Sequence, residues 1–279
     1  MSLGTYIKRL IRFVATGTPE QHTSVQIYES APGTRLAGKN ILITGGSRGL
    51  GYYIARRCIR DGAKVLITGR NSESTQKAAE ELGVNCHWLT FDVTNIQHFP
   101  ILLQDAEKLL GGKIDCLVSN AGISLHEKGF REVTPENWDL QMDTNLKGNY
   151  FLIQAYIAYL ESQKNPQGNI VVITSERAKR PDDIPYGLTK AASNSFIQGI
   201  ARRVIEQGIR INGIAPGVTA TDMTGFDRDG DLFASWQAGK RIFLPEEVAE
   251  VIAFLLSDLS ACISGEIITC DQGRYISHW

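Results

Sequence analysis

The chain has 279 residues, of which 43% are hydrophobic and 21% charged, values typical of a folded globular protein. Its net charge of −1 lacks the basic surplus of a dedicated nucleic-acid-binding protein, so no nucleic-acid partner is expected. Five cysteines form no CxxC pair and five histidines show no metal-ligand spacing, which predicts reduced thiols and no metal site. We find neither the apolar core of a signal peptide nor a membrane-length apolar run, and this favours a cytoplasmic protein.

Residues 1–35 are predicted to be an N-terminal extension, either an arm or a helix. Residues 1–38 contain four basic and two acidic residues, so this part of the chain has a net charge of +2. The segment Tyr6–Val14 is both basic and apolar. We expect it to pack on a neighbouring subunit, and contact with a membrane surface is the less favoured interpretation.

Residues 36–279 are predicted to form one α/β domain, because short β-branched runs alternate with longer helical patterns. The expected architecture is a single Rossmann-like, doubly wound domain: a seven-stranded parallel sheet with helices on both faces. The predicted strands are Ile41–Thr44, Lys64–Thr68, Cys86–Phe91, Cys116–Ser119, Ile170–Thr174, Arg210–Ile214 and Glu266–Thr269. The predicted helices lie near residues 50–60, 73–82, 96–110, 136–162, 186–206 and 246–257. Residues from about 217 to 244 break this pattern and are predicted to be a substrate lid.

A glycine-rich turn joins the first predicted strand to the first helix of the domain. Glycines allow a tight turn and close backbone approach to a ligand, and a helix N-terminus offers free N–H groups to a pyrophosphate. Because the turn stands at a strand-to-helix junction, it predicts a dinucleotide-binding site. Its spacing is Gly-x-x-x-Gly-x-Gly, and the candidate binding residues are Gly45, Ser47, Arg48, Gly49, Leu50 and Gly51.

The end of the second predicted strand indicates which dinucleotide is bound. Folds that use NAD place an acidic residue there, against the ribose 2′-hydroxyl, whereas folds that use NADP offer arginine to the 2′-phosphate. Here the strand is followed by Gly69 and Arg70, with no carboxylate, and Arg48 lies in the glycine turn. Two guanidinium groups can hold a doubly charged phosphate through paired hydrogen bonds, so NADP(H) is favoured over NAD(H).

A tyrosine and a lysine form a second candidate site. Tyr186 and Lys190 are four residues apart and therefore share one face of a predicted helix. A neighbouring cation favours the phenolate form of a tyrosine. Ser175 follows an apolar strand, 11 positions before the tyrosine. Since ligands bind at the carboxyl ends of strands in open α/β sheets, its hydroxyl can reach a substrate carbonyl.

Several motifs follow one another in a fixed order along the chain. They are the glycine turn, Asn120-Ala121-Gly122, Asn145, Ser175 and the pair Tyr186 and Lys190. In this order, over residues 36–279, they resemble the short-chain dehydrogenase/reductase family. The resemblance implies an oxidoreductase that interconverts a ketone or aldehyde and an alcohol by hydride transfer with NADP(H). It implies that Tyr186 is the general acid/base, that Lys190 lowers its pKa and holds the nicotinamide ribose, and that Ser175 orients the carbonyl. Asn145 would anchor a water in the proton relay.

The resemblance also implies cofactor contacts outside the glycine turn. Asp92 and Val93 match the family's adenine contact, and Asn120, Ala121 and Gly122 match a segment along the cofactor. The segment at the nicotinamide is matched by Pro216, Gly217, Thr219 and Thr221. One departure concerns the serine: the family often separates it from the tyrosine by more residues, so its position here is an open question. Residues 176–180 are unusually charged, and a solvated loop is the favoured interpretation of them.

An alternative function is a non-catalytic NADP-binding regulatory or scaffold protein on the same fold. The intact catalytic set argues against it. A nucleotide-sugar epimerase or dehydratase is disfavoured, because those enzymes usually carry a larger C-terminal substrate domain. The resemblance further implies a homodimer or homotetramer acting on a small-molecule carbonyl or alcohol substrate. The residues suited to packing between subunits are Ala191, Ala192, Phe196 and Ile200.

Overall fold

The computed structural model describes residues 3–17 and 33–276. Its strands are β1 (Asn40–Thr44), β2 (Lys64–Gly69), β3 (Cys86–Thr90), β4 (Cys116–Ser119), β5 (Gly168–Ile173), β6 (Ile209–Pro216) and β7 (Ile267–Cys270). They form one seven-stranded sheet in the order β3-β2-β1-β4-β5-β6-β7, with every neighbouring pair parallel. The predicted seven-stranded, Rossmann-like fold is therefore confirmed.

The helices fall close to the predicted positions. They are α1 (Leu3–Thr16), α2 (Gly49–Arg60), α3 (Ser72–Leu82), α4 (Phe99–Leu110), α5 (Pro135–Gln141), α6 (Asn149–Glu161), α7 (Pro185–Val204) and α8 (Pro245–Leu256). The start of α7 follows from Pro185, which stands in its first turn, where a backbone N–H is not needed. Tyr186 is thereby fixed in the first turn of a long helix.

Two hydrophobic cores lie on opposite faces of the sheet. On β1, Ile41 and Ile43 pack into the core that contains residues of α2, α3 and α8. Between them, Leu42 points to the other face and joins the core that contains residues of α4, α6 and α7. This alternation is the two-residue period of a strand buried on both faces. Helices therefore cover both faces of the sheet, as predicted.

The sheet has a topological switch between β1 and β4. The chain builds β1, β2 and β3 outward in one direction, and then returns to place β4 on the other side of β1. In open α/β sheets, a crevice forms at such a point outside the carboxyl ends of the strands, and ligands bind there. The glycine turn follows β1 and Asn120 follows β4, so both lie at this crevice.

The predicted helix near 136–162 is divided into three parts. Between α5 and α6, the residues Met142–Gly148 form a π-helical segment. Such wider turns are rare and are frequently found at functional sites. At its end, a Cβ on Gly148 would lie 2.6 Å from the carbonyl oxygen of Val93. The glycine thus allows the segment after β3 to approach the π-helical segment, which contains Asn145.

Residues 217–244 form an irregular segment that is attached to the domain. Two isolated β-bridges hold it together. Arg228 contacts Tyr53 of α2 and forms an ion pair with Glu246 of α8, 2.7 Å away. Residues 217–244 also contain an apolar cluster of their own, which consists of Ala220, Leu232, Ala234, Ile242 and Leu244. The lid function assigned to this segment stays a prediction.

Part of the predicted N-terminal extension is described. Helix α1 spans Leu3–Thr16, and Ile7, Leu10, Ile11 and Val14 at helical spacing are all at least 50% exposed. The rest of the extension, residues 1–2 and 18–32, lies outside the described residues. Within residues 3–17 and 33–276, none of the helices is long and apolar enough to cross a membrane.

Candidate active site

The glycine turn has the geometry of a phosphate cradle. Gly45 and Gly49 have φ values of +65° and +53°, a backbone region that favours glycine. A Cβ on Gly51 would overlap the carbonyl oxygen of Gly45. The side chain of the N-cap residue Arg48 makes no capping hydrogen bond to the N-terminus of α2, so the first N–H groups of the helix remain available to an anion.

Asn120 connects the glycine turn to the end of β4 by hydrogen bonds. Its side-chain Nδ2 donates hydrogen bonds to the carbonyl oxygens of Thr44, at 2.9 Å, and Gly45, at 3.0 Å. In return, the Thr44 hydroxyl accepts from the backbone N–H groups of Asn120 and Ala121, both at 3.1 Å. Thr44 is a contributor that sequence reasoning missed, because its role depends on β1 and β4 being neighbours.

The two arginines expected at a 2′-phosphate are both exposed at the edge of this crevice. The segments that contain the two arginines lie close together. The Oγ of Ser47, the residue before Arg48, is 3.2 Å from the position that a Cβ would take on Gly69, the residue before Arg70. Arg48 forms an ion pair with Asp222, 3.5 Å away, in which both side chains are largely exposed. An exposed pair of this kind contributes little to stability and leaves Arg48 available to a stronger anion.

The remaining predicted cofactor contacts lie at or after the carboxyl ends of β3 and β6 and in α2. The Asp92 carboxylate accepts from the N–H and the hydroxyl of Thr94, at 2.9 and 2.8 Å, which fixes the turn after β3. Val93 is buried. The buried Thr219 donates its hydroxyl to the carbonyl of Gly217 at 2.9 Å. Pro216 ends β6. Leu50 is partly buried in α2.

The segment after β6 reaches the glycine turn. Atoms of the Thr221 side chain lie 3.7 Å from the position of a Cβ on Gly49. The start of residues 217–244 is thus next to the N-terminus of α2. The glycine turn and this segment therefore lie side by side at the N-terminus of α2, where the N-cap side chain makes no capping hydrogen bond. These residues fit a dinucleotide.

Asn145 is held deep in the π-helical segment. It is fully buried, its Oδ1 accepts from the N–H of Ile123 and its Nδ2 donates to the Ile123 carbonyl, both at 2.8 Å. A Cβ on Gly122 would lie 3.2 Å from the Asn145 Oδ1 and 3.6 Å from the Lys190 Nζ. Gly122 therefore separates Asn145 from Lys190 and leaves the space between their polar ends free of a side chain.

Ser175 and Tyr186 are brought together despite their short separation in the sequence. Ser175 is 7% exposed and Tyr186 is half-buried, and the Ser175 side chain lies close enough to the phenol to influence its pKa. Burial raises the pKa of the Tyr186 phenol, while the Ser175 side chain and the nearby Arg177 cation act in the opposite direction. The short loop has not moved the serine away from the tyrosine.

Lys190 is directed into the protein. Its side chain is buried, and its Nζ donates to the carbonyl of Ile173 at 2.8 Å and lies 5.7 Å from the centroid of the Tyr186 ring. Burial lowers the pKa of Lys190 to about 8. The ammonium thus lies one helical turn from the phenol, at the end of β5.

The charged run after the serine is only in part a solvated loop. Lys179 and Arg180 are exposed. Glu176 is 3% exposed and forms an ion pair with Arg274 at 2.6 Å, so the prediction of a solvated segment is wrong for it. Burial of a carboxylate is costly unless it is paired, and a partner that is 98 residues away cannot be recognised from local sequence.

A second residue missed from the sequence is Asn149 at the start of α6. Its Oδ1 accepts from the Ser119 hydroxyl at 2.7 Å, and its Nδ2 donates to the carbonyls of Ala121, at 3.1 Å, and Asn145, at 2.8 Å. Its hydrogen bonds connect the end of β4 to the π-helical segment, so these two parts of the site are held in place relative to each other.

Comparisons with known proteins agree with this geometry. The family model described as enoyl-(acyl carrier protein) reductase matches residues 45–274. Gluconate 5-dehydrogenase of Gluconobacter oxydans (strain 621H) is 33% identical, over 87% of this chain and 96% of that protein. The 3-oxoacyl-[acyl-carrier-protein] reductase of Aquifex aeolicus (strain VF5) is 30% identical, over 86% and 99%. Dehydrogenase/reductase SDR family member 4 of Bos taurus is 31% identical, over 87% and 89%.

Solved structures are similar over the same range. The crystal structure of 3-ketoacyl-(acyl-carrier-protein) reductase from Brucella melitensis complexed with NADH has a TM-score of 0.80 and 28% identity, and covers 86% of this chain and 100% of that one. A putative short-chain alcohol dehydrogenase from Sinorhizobium meliloti 1021 has a TM-score of 0.78 and 32% identity, with 88% and 99% covered. The chain therefore belongs to the short-chain dehydrogenase/reductase family and is a nicotinamide-dependent oxidoreductase.

Proposed function

We propose that this enzyme interconverts a ketone or aldehyde and an alcohol with NADP(H), using Tyr186 as the general acid/base. The observation that carries the proposal is the placing of the Ser175 side chain, just after β5, beside the Tyr186 phenol in the first turn of α7. Lys190 lies one helical turn further along α7. A pair of hydroxyl donors in a partly desolvated site is suited to a carbonyl oxygen that gains negative charge.

In the reaction, the bound nicotinamide supplies hydride to the carbonyl carbon or accepts it from the alcohol carbon. The Ser175 hydroxyl donates a hydrogen bond to the substrate oxygen and orients it. Tyr186 donates a proton to that oxygen as negative charge develops, and takes the proton back in the oxidation direction. Hydrogen bonds that strengthen as this charge grows stabilise the transition state more than the ground state.

Lys190 and Asn145 support the tyrosine in this proposal. The Lys190 ammonium holds the nicotinamide ribose and favours the phenolate of Tyr186. Asn145 anchors a water that connects the tyrosine to solvent. Gly122 leaves the space between the polar ends of the two side chains free of a third side chain. This arrangement supports the resupply of the transferred proton.

The preference for NADP(H) over NAD(H) is proposed from Arg48 and Arg70. Both are exposed, and β2 ends at Gly69 and is followed by Arg70 instead of a carboxylate. The 2′-phosphate would compete with Asp222 for Arg48 and win, because a doubly charged anion binds a guanidinium more strongly than an exposed carboxylate does. The other proposed contacts are Gly45, Ser47, Gly49, Leu50, Gly51, Asp92, Val93, Asn120, Ala121, Gly122, Tyr186, Lys190, Pro216, Gly217, Thr219 and Thr221.

A homodimer or homotetramer is proposed from the surface of α6 and α7. An apolar groove there is lined by Leu146, Tyr150, Phe151, Ala192 and Phe196. A second copy of the chain is the occupant we propose, since the groove lies on the two long helices after β4 and β5.

Free thiols at all five cysteines support a reducing compartment such as the cytoplasm.

Residues 1–35 are proposed to be a separate extension ahead of residues 36–279, packed on a neighbouring subunit through α1. A truncation that starts at Arg35 tests this assignment. We expect the truncated protein to remain folded and to associate less tightly in sedimentation experiments. Unchanged association would contradict the packing of α1 on a subunit. Binding of only the full-length protein to anionic lipid vesicles would assign α1 to a membrane surface instead.

The experiment that tests the function is a panel of carbonyl compounds and alcohols, assayed by NADPH absorbance and in parallel with NADH. The panel includes gluconate and a 3-oxoacyl compound, because relatives are named for these. Turnover with at least one member, faster with NADPH, is the expected result. A flat response across the panel, with NADPH still bound in calorimetry, would replace the enzyme proposal with a regulatory cofactor-binding protein.

A further inference from the structure

The loop between Ser175 and Tyr186 contains a bidentate ion pair. The Nε of Arg177 lies 2.5 Å from one carboxylate oxygen of Asp182, and its Nη2 lies 2.7 Å from the other. The Asp182 side chain is only 3% exposed. A planar, two-point pair of this kind fixes orientation as well as distance. The pair therefore closes the short loop into a rigid unit.

Asp182 also fixes the start of α7. Its Oδ1 accepts from the backbone N–H groups of Asp183, at 3.0 Å, and Ile184, at 3.4 Å. Ile184 is the N-cap residue of α7, and its side chain makes no capping hydrogen bond. A carboxylate at this place complements the positive end of the helix dipole. The first turn, which contains Tyr186, is thus anchored through Asp182.

Gly187 makes room for this carboxylate. A Cβ on Gly187 would overlap the carboxyl group of Asp182. Glycine is unfavourable inside a helix. The start of α7 does not require it either, because Pro185 already occupies the first turn. The glycine that follows the catalytic tyrosine is explained by the close packing of Asp182 against the helix.

The other partner of the pair connects to the serine. The backbone N–H of Arg177 donates to the Ser175 Oγ at 3.2 Å. The Arg177 cation also lowers the pKa of the Tyr186 phenol, whereas the negative charges of Glu176 and Asp182 raise it. Arg177 and Asp182 thus contact the serine side and the tyrosine side of the site respectively.

We propose that Arg177 and Asp182 are positioning residues, whose ion pair sets the first turn of α7 and so holds the Tyr186 hydroxyl against Ser175. The inference deepens the proposed function and rests on it for the role of Tyr186. The pair takes the place of the longer loop that often separates serine and tyrosine in the family. It keeps Ser175 beside the Tyr186 phenol across a separation of only 11 positions.

Gly187→Ala and Gly199→Ala form a matched pair of variants for the test. Both glycines lie inside α7, but a Cβ on Gly199 meets nothing within 4 Å, whereas one on Gly187 displaces Asp182. We expect Gly187→Ala to lower kcat about 10- to 100-fold, with an unchanged KM for NADPH, because the reacting groups are misplaced. Gly199→Ala should leave kcat unchanged. Equal kcat in both variants would overturn the proposal.

A second test compares the directions in which two substitutions shift the pH profile of kcat. Asp182→Asn removes a negative charge near the phenol, and Arg177→Met removes a positive one. We expect the midpoint of the pH profile of kcat to move to lower pH in Asp182→Asn and to higher pH in Arg177→Met, while both variants lose kcat. Arg177→Lys keeps the charge and should restore the midpoint but not the full kcat. Shifts of the same sign, or none, would contradict the proposal.

Hydrogen exchange tests the same pair without any turnover. The N–H of Leu188 donates to the Ile184 carbonyl in the first turn of α7, at 3.2 Å. We expect Asp182→Asn and Gly187→Ala to increase exchange at this amide, and Gly199→Ala to leave it unchanged. If the parent enzyme turns over no carbonyl compound, the proposed function fails while this measurement still decides the role of the pair. Unchanged exchange at Leu188 in both variants would show that the ion pair does not hold the helix.

Discussion

The ammonium of Lys190 donates a hydrogen bond to the carbonyl oxygen of Ile173, 2.8 Å away, from a side chain that is only 4% exposed. Burial disfavours its charged form and lowers the pKa of Lys190 to about 8. Between about pH 8 and the ordinary lysine pKa of 10.5, the unfolded chain therefore binds a proton that the folded chain has released. By linkage, the contribution of Lys190 to stability rises with pH across this window.

Lys190→Met should consequently increase the free energy of unfolding at pH 7, by about 1–3 kcal/mol, because a buried charge is replaced by an apolar side chain of similar length. The gain should shrink as the pH is raised toward 10.5, and activity should be lost at every pH. Urea unfolding between pH 7 and 10 measures the difference. Lys108→Met, at a side chain that is 74% exposed, is the control and should have little effect. A destabilised Lys190→Met at pH 7 would contradict the prediction.

Tyr186→Phe removes the phenol hydroxyl and keeps the ring. We expect kcat to fall by about 10²- to 10⁴-fold, the usual contribution of a general acid, with unchanged affinity for NADPH. Steady-state kinetics and calorimetric titration of NADPH measure the two quantities. Tyr150→Phe, at an exposed tyrosine of α6, is the matched control. Normal turnover by Tyr186→Phe would rule out the proposed acid/base.

Arg48→Ala and Arg70→Ala test the cofactor preference. Each should lower kcat/KM with NADPH by about 10- to 100-fold, because a charged hydrogen bond to the 2′-phosphate contributes about 1.5–3 kcal/mol. The value with NADH, which lacks this phosphate, should change little. Arg203→Ala, at an exposed residue in the last turn of α7, controls for the change in net charge. Equal losses with both cofactors would assign the arginines to another role.

Asn145→Ala leaves the N–H and the carbonyl of Ile123 without their present partners. Since a buried polar group without a hydrogen bond costs about 1–3 kcal/mol, we expect a stability loss of about 2–4 kcal/mol in addition to lower activity. Thermal or urea unfolding measures it. Asn137→Ala on α5 should change stability by less than about 0.5 kcal/mol. A stable but inactive Asn145→Ala would show that Asn145 acts in the reaction and not in holding the loop after β4.

Ala192→Arg places a charge in the apolar groove on α6 and α7. If a second copy covers this groove, the variant should dissociate to a smaller species in sedimentation experiments. Gln198→Arg, at an exposed position on another side of α7, should leave the assembly unchanged. An unaltered assembly in Ala192→Arg would place the subunit contact elsewhere.

Much of the fold was readable from local sequence. The β-branched runs predicted all seven strands, and the five inner strands are buried at nearly every position, so they must be apolar at successive residues. Pro185 predicted the start of α7 correctly, since proline is tolerated only in the first turn of a helix. The glycine turn was identified by its place between β1 and α2.

Features set by distant contacts were not readable. The π-helical segment, Met142–Gly148, depends on Asn149, whose side chain bonds to the carbonyls of Ala121 and Asn145. A π-helical turn contains more residues than an α-helical turn, and the local helix propensity of these residues does not indicate where it occurs. Likewise, Arg177 and Asp182 read as surface charges, and only the conformation of the loop pairs them and buries the Asp182 carboxylate.

The hydrogen bonds from Asn120 to the Thr44 and Gly45 carbonyls have a consequence for the kinetics of cofactor capture. These bonds satisfy the carbonyl oxygens of the turn within the protein itself. The loop is thereby pre-organised, and an incoming dinucleotide need not first order it. Little conformational entropy is lost on association, so encounter by diffusion, rather than a slow rearrangement of the turn, should limit the rate of binding.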